Sequence, residues 1–113
     1  MKKALWLSAL VLAVPLVLSA ETWKNAALLD SMCASKDSVK ANPDSHTTKC
    51  AVQCQQGGYG ILMPDGTFLA FDKAGNEKVA AALKTTKKTD HLRVTVEGEK
   101  KGSEIQVKSI TLD

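Results

Sequence analysis

Residues 92–97 alternate without a break: Leu92, Val94 and Val96 are apolar, and Arg93, Thr95 and Glu97 between them are polar. A period of two marks a strand with one face on a core and the other in water. Such a strand needs neighbours, and the chain offers four. Glu104–Leu112 reads as the last strand, with Ile105 and Val107 on one face. Ile110 and Leu112 fall out of phase with that pair, so a bulge is expected near Ser109. Tyr59–Met63 and Thr67–Phe71 flank Pro64-Asp65-Gly66, a tight-turn sequence, and read as antiparallel partners. Thr22–Asp30 reads as the first strand, led by Trp23 and closing on Leu28-Leu29.

Helical signals fall between these segments. Ser31–Ser45 is polar, contains Asn42-Pro43-Asp44, and reads as a loop around Cys33. Ser45 or Thr47 caps a helix running to about Gln56, which Gly57-Gly58 ends. Glu97–Ser103 reads as a charged connection bounded by glycine. Asn76 is the expected N-cap of a second helix, with Glu77 in its first turn and Val79, Ala82 and Leu83 as its apolar stripe. The order is strand, loop plus helix, strand, strand, helix, strand, strand. A mainly β (α+β) fold follows: a five-stranded OB-like barrel with a helix between strands 3 and 4 and an extra loop and helix after strand 1. An α+β sandwich with an open sheet has the same element order.

The N-terminus reads as an address label. Lys2 and Lys3 precede an uncharged, mostly apolar stretch from Ala4 to Leu18, and Ser19-Ala20 offers small residues for cleavage. The apolar run is roughly 15 residues, short of the ~20 that span a bilayer, and Pro15 interrupts it. Residues 1–20 are therefore expected to be a signal peptide cleaved after Ser19 or Ala20, with no permanent membrane anchor, and residues 21–113 a single domain in the periplasm or secreted. Loss of Lys2 and Lys3 takes the Lys and Arg count from 15 to 13, against 12 Asp and Glu. A nearly neutral chain lacks the basic footprint of a nucleic-acid binder.

A domain of roughly 93 residues has a small core, and export makes a covalent or metal staple chemically open to it. The candidates are Cys33, His46, Cys50 and Cys54. On a continuous helix His46, Cys50 and Cys54 would share one face, at steps of four residues. The row rises about 12 Å, so one ion would use Cys50 with either neighbour, plus Cys33 from the loop; a frayed first turn would admit all four. Three readings stand. A disulfide from Cys33 to Cys50 or Cys54 would close a loop of about 20 residues and stabilise by about 3 kcal/mol. The third thiol would then be buried or would pair two chains into a dimer; otherwise the protein is a monomer. A soft-metal site would hold zinc or copper, with Met32 and Met63 as thioethers open to copper. A thiol redox role would use the same three cysteines, although Cys-x3-Cys is not the thioredoxin-like spacing.

The chain resembles a group of small exported bacterial proteins of unassigned function. The resemblance rests on Trp23 and Asp30 leading to Cys33, then His46, Cys50 and Cys54, Gly58-Tyr59-Gly60, the Asp65-Gly66 hairpin, Phe71-Asp72, Gly75-Asn76 and Val94–Gly98. It implies an OB-like barrel and carries no enzymatic activity to transfer.

The remaining polar residues form no defensible catalytic constellation, and the chain is read as non-enzymatic. His91 beside Asp90 reads as a surface residue, and Lys84, Lys87 and Lys88 as a solvated helix end. Tyr59, Phe68 and Phe71 lie on the central hairpin, which in OB folds faces ligand, although core packing is the commoner fate of such residues. With four aromatics after Ala20, a stacking platform for nucleic acid is not expected. The expected function is a binding or accessory domain of the cell envelope, its partner an envelope protein or a small ligand.

Overall fold

The computed structural model describes residues 20–113. Residues 1–19, with nearly all of the expected export signal, lie outside the described residues. Among the described residues no helix is long and apolar enough to cross a membrane.

The alternating segment opens β4 (Arg93–Lys101), which turns at Gly102-Ser103 into its antiparallel partner β5 (Glu104–Leu112). Gly102 takes φ of 62°, the left-handed conformation that a tight hairpin turn asks of a residue without a Cβ. Glu97–Lys101 is strand rather than the expected charged connection, because pairing with β5 satisfies its backbone. Glu97 pairs with Ser109 and Gly98 with Val107, which leaves Lys108 as an extra residue. This is the bulge expected near Ser109, and it lets Ile110 and Leu112 pack against the core.

β1 (Glu21–Asp30) runs antiparallel to β4 on one side and to β2 (Tyr59–Leu62) on the other, and β2 pairs with β3 (Phe68–Phe71). β3 then meets β5 in parallel, Ala70 opposite Glu104 and Phe71 opposite Ile105. The circuit β1-β2-β3-β5-β4 closes, so the fold is the OB-like barrel and not the open sandwich. Inside it Leu28, Tyr59, Ile61, Val94, Val96 and Ile105 are at most 2% exposed. Burial of each such side chain stabilises by about 1.5–3 kcal/mol.

α4 (Lys73–Thr85) packs on β5 and on the ends of β2 and β3. Its N-cap is Asp72, not the expected Asn76: Asp72 Oδ1 accepts from the N–H of Gly75 at 3.0 Å and from that of Val107 at 3.3 Å. A carboxylate directly after a strand can cap the helix and hold the neighbouring strand at once, which starts the helix earlier. Asn76 closes the open end of β2 instead, its Oδ1 accepting from the Tyr59 N–H at 2.8 Å.

Between β1 and β2 the expected loop and helix are five short helical turns. They are α1 (Ser31–Ala34), α2 (Asp37–Ala41), a 3-10 turn at Pro43–Ser45, α3 (Thr48–Gln53) and a second 3-10 turn at Gln55–Gly57 after it. Together with β1 and β2 they enclose a second small core of Ala27, Leu29, Ala34 and Leu62, against which Val39 and Phe68 pack. Arg93 fastens the insertion to the barrel: its Nε and Nη2 each donate to the Asp44 carboxylate at 2.9 Å. That bidentate pairing holds Asp44 below the usual carboxylate range.

Candidate metal centre

β1 ends on Asp30, a carboxylate at the close of the apolar run Ala-Ala-Leu-Leu, and it is 0% exposed. One oxygen has a structural task. Asp30 Oδ2 accepts the N–H of Cys33 at 2.9 Å and so caps α1. This cap folds the chain back and places Cys33, 9% exposed, beside the carboxylate that positions it.

The other oxygen faces histidine. Asp30 Oδ1 lies 2.7 Å from His46 Nε2, and His46 is only 6% exposed. The distance is that of an ion pair, yet the two atoms are off hydrogen-bond alignment, and neither has another partner among the described residues. Buried polar atoms are ordinarily satisfied, and leaving one unaligned costs about 1–3 kcal/mol. One ligand atom each from Asp30, Cys33 and His46 lies within 4.8 Å of the others. Three ligating chemistries thus converge: a carboxylate oxygen, an imidazole nitrogen and a thiol.

The Cys33 thiol is pushed up to about 11, chiefly by burial, then by the Asp30 charge and by its own hydrogen bond to that carboxylate. The Tyr59 hydroxyl is likewise pushed upward, chiefly by burial, then by the charges of Asp30 and Cys54. That hydroxyl donates to the Ala51 carbonyl at 2.9 Å.

The expected row of His46, Cys50 and Cys54 on one helix is not formed. Thr47 is the N-cap of α3, its Oγ1 accepting from the Cys50 N–H at 3.1 Å, so His46 precedes the helix in extended conformation. That extended residue carries its ring back to Asp30. Cys50 is exposed on α3 and outside the cluster, and half-buried Cys54 is the helix's C-cap. The expected bridge from Cys33 to Cys50 or Cys54 is likewise absent, all three being free cysteines. Cys33 is turned into the carboxylate contact, whereas Cys50 is turned to solvent. Native protein treated with iodoacetamide should therefore be labelled at Cys50 within minutes and spared at Cys33, which peptide mass mapping would read.

The other candidates separate as well. Tyr59 and Phe71 are 2% and 3% exposed and belong to the barrel core, their edges reaching a surface hollow beside Asp72 and Asn76. Phe68 lies over Gly60, where a Cβ would strike its ring and the Leu69 carbonyl. Met32 is 59% exposed, and Met63 packs against the barrel core. His91 is on the surface, its Nδ1 2.9 Å from the Asp90 carboxylate. Asp30 is the member of the cluster that sequence reasoning missed. Its signal was an aspartate ending an apolar strand three residues before a cysteine.

Comparison with protein-family models, curated proteins and solved structures found no match.

Proposed function

We propose that the chain is a small exported binding domain that holds one Zn2+ ion at Asp30, Cys33 and His46. The observation that carries the reading is the pair of buried, unaligned polar atoms, Asp30 Oδ1 and His46 Nε2, beside a buried thiol. A divalent ion would satisfy both atoms and take the thiol as thiolate. Donors of a tetrahedral zinc stand about 3.3–3.7 Å apart, given bonds of 2.0–2.3 Å. The histidine and aspartate would part by about half an ångström, and the widest pair would close by about one. Side-chain rotation supplies both movements.

The donor set also favours zinc over copper. Cu(I) prefers thiolates and thioethers, whereas a carboxylate with an imidazole and one thiolate suits Zn2+. The thiol redox reading asks for an accessible thiol with a partner thiol to bridge to; Cys33 is buried with its pKa raised, and exposed Cys50 stands free and outside the cluster. Export rests on the N-terminal pattern and on the resemblance to small exported OB-like proteins.

The test is a calorimetric titration of chelator-stripped full chain with Zn2+. One ion per chain should bind, and Cys33→Ser, Asp30→Asn and His46→Ala should each weaken it by at least about tenfold. Cys50→Ser should leave it unchanged. Because the Cys33 thiol is protonated below about 11, binding must displace that proton, and affinity should fall by about tenfold per pH unit on acidification. The absence of saturable binding, or an undiminished affinity in Cys33→Ser, would overturn the proposal.

A further inference from the structure

A separate hollow of about 580 Å3 opens over the bulged half of β1. Trp23 pairs with Val96 and Ala26 with Val94, so β1 carries one residue more than β4 at this point. Asn25 absorbs it with φ of 51°, a left-handed conformation that asparagine accepts more readily than most residues with a Cβ. Arg93 fastens the bulge, its Nη1 donating to the Asn25 carbonyl at 3.1 Å while its other nitrogens grip Asp44. The bulge is thereby fixed in place before any ligand arrives, and bulges of this kind re-aim side chains beside binding sites.

The wall is of two chemistries. Trp23, Met63 and Pro64 give it an apolar surface, and Trp23 and Met63 are themselves backed by the barrel core. Lys24, Lys40 and Arg93 give it positive charge, and among the described residues no carboxylate lines it. Arg93 is already paired with Asp44, which leaves the two lysines as the charge a ligand would meet. The volume is that of a small-molecule pocket.

We infer that this hollow binds a small amphipathic anion, an alkyl or aryl carboxylate, with its apolar body on Trp23, Met63 and Pro64 and its acid group toward Lys24 and Lys40. The inference is independent of the zinc reading, since none of these residues belongs to the Asp30 cluster.

Calorimetric titration of the full chain with octanoate and with 2-naphthoate, each beside its uncharged amide, tests it. At least one acid should bind saturably at one per chain, about tenfold more tightly than its amide. Lys24→Ala/Lys40→Ala, which removes two exposed side chains, should weaken the acid by about tenfold and leave the amide unchanged, with the melting curve preserved. Trp23→Leu should weaken acid and amide alike. Cys33→Ser should bind the acid as the parent chain does, which separates this pocket from the metal site. Saturable binding of neither acid, equal affinity for acid and amide, or full affinity in the double lysine variant would each overturn the inference.

Discussion

Val94→Asp should leave the chain unfolded at 25 °C. Val94 is 1% exposed in the middle of β4 and packs within the main barrel core. A carboxylate placed there has no partner to accept, and burying it costs several kcal/mol whether it stays charged or takes up a proton. A domain of this size has about 5 kcal/mol or little more to lose. Loss of the cooperative thermal transition, read by circular dichroism, is the expected result. Gln106→Asp, on the exposed face of β5, should change stability by only about 0.5 kcal/mol and serves as the control. A cooperative melt for Val94→Asp would remove the residue from the core assigned to it.

The second large effect concerns His46. In the metal-free chain His46→Ala should cost about 3 kcal/mol, because it leaves the Asp30 oxygen facing it buried beside an empty volume. In a domain of about 93 residues that lowers the melting temperature by roughly 12–20 °C. Zinc should widen the gap. An ion at a hundred times its dissociation constant stabilises the parent by about 2.7 kcal/mol through mass action, and the variant should gain far less. Parallel melts with and without Zn2+ would read both terms. Equal zinc-induced shifts in parent and variant would detach His46 from the metal, while a loss under about 1 kcal/mol without zinc would mean that the histidine contributes little to packing.

The strands were legible because their signals are local, whereas closure of the barrel rests on the non-local pairing of β3 with β5. Leu92, Val94 and Val96 repeat at the strand period, Asp65-Gly66 marks a tight turn, and the phase break before Ile110 announces the bulge at Lys108. The site was only half legible. Cys33 and His46 stood out by chemical type, but their meeting depends on where α3 begins. The sequence offers Ser45 and Thr47 equally as caps, and only Thr47 puts His46 outside the helix with its ring free to turn inward. Asp30 was obscured for another reason. An aspartate between a strand and a polar stretch looks like a solvated strand end, and its burial comes from the turns of the insertion that cover it. Cys50 misled in the reverse sense, since spacing alone cannot tell which face of a short helix meets the barrel. The start of α4 was misread at Asn76 because Asp72 serves two elements, and only one of them, the helix, is local in sequence.

The parallel contact of β3 with β5 gives the barrel one short seam. β4 and β5 pair, through one bulge, from Val94–Leu112 to Lys101–Glu104, whereas β3 and β5 meet at Ala70–Glu104 and Phe71–Ile105 alone. Two amides hold the seam from the β3 side, Ala70 donating to the Ser103 carbonyl at 2.9 Å and Asp72 to that of Ile105 at 3.0 Å. The hairpin of β4 and β5 is therefore expected to stay zipped when its seam with β3 opens. Such sub-global openings lie well below the free energy of complete unfolding. In deuterated solvent the Ala70 and Asp72 amides should exchange in a separate, faster class than the amides at the centre of β4. The cylinder thus behaves as a cuff with one clasp, and the Asp72 carboxylate, bonded to both α4 and β5, is the pin that keeps it shut.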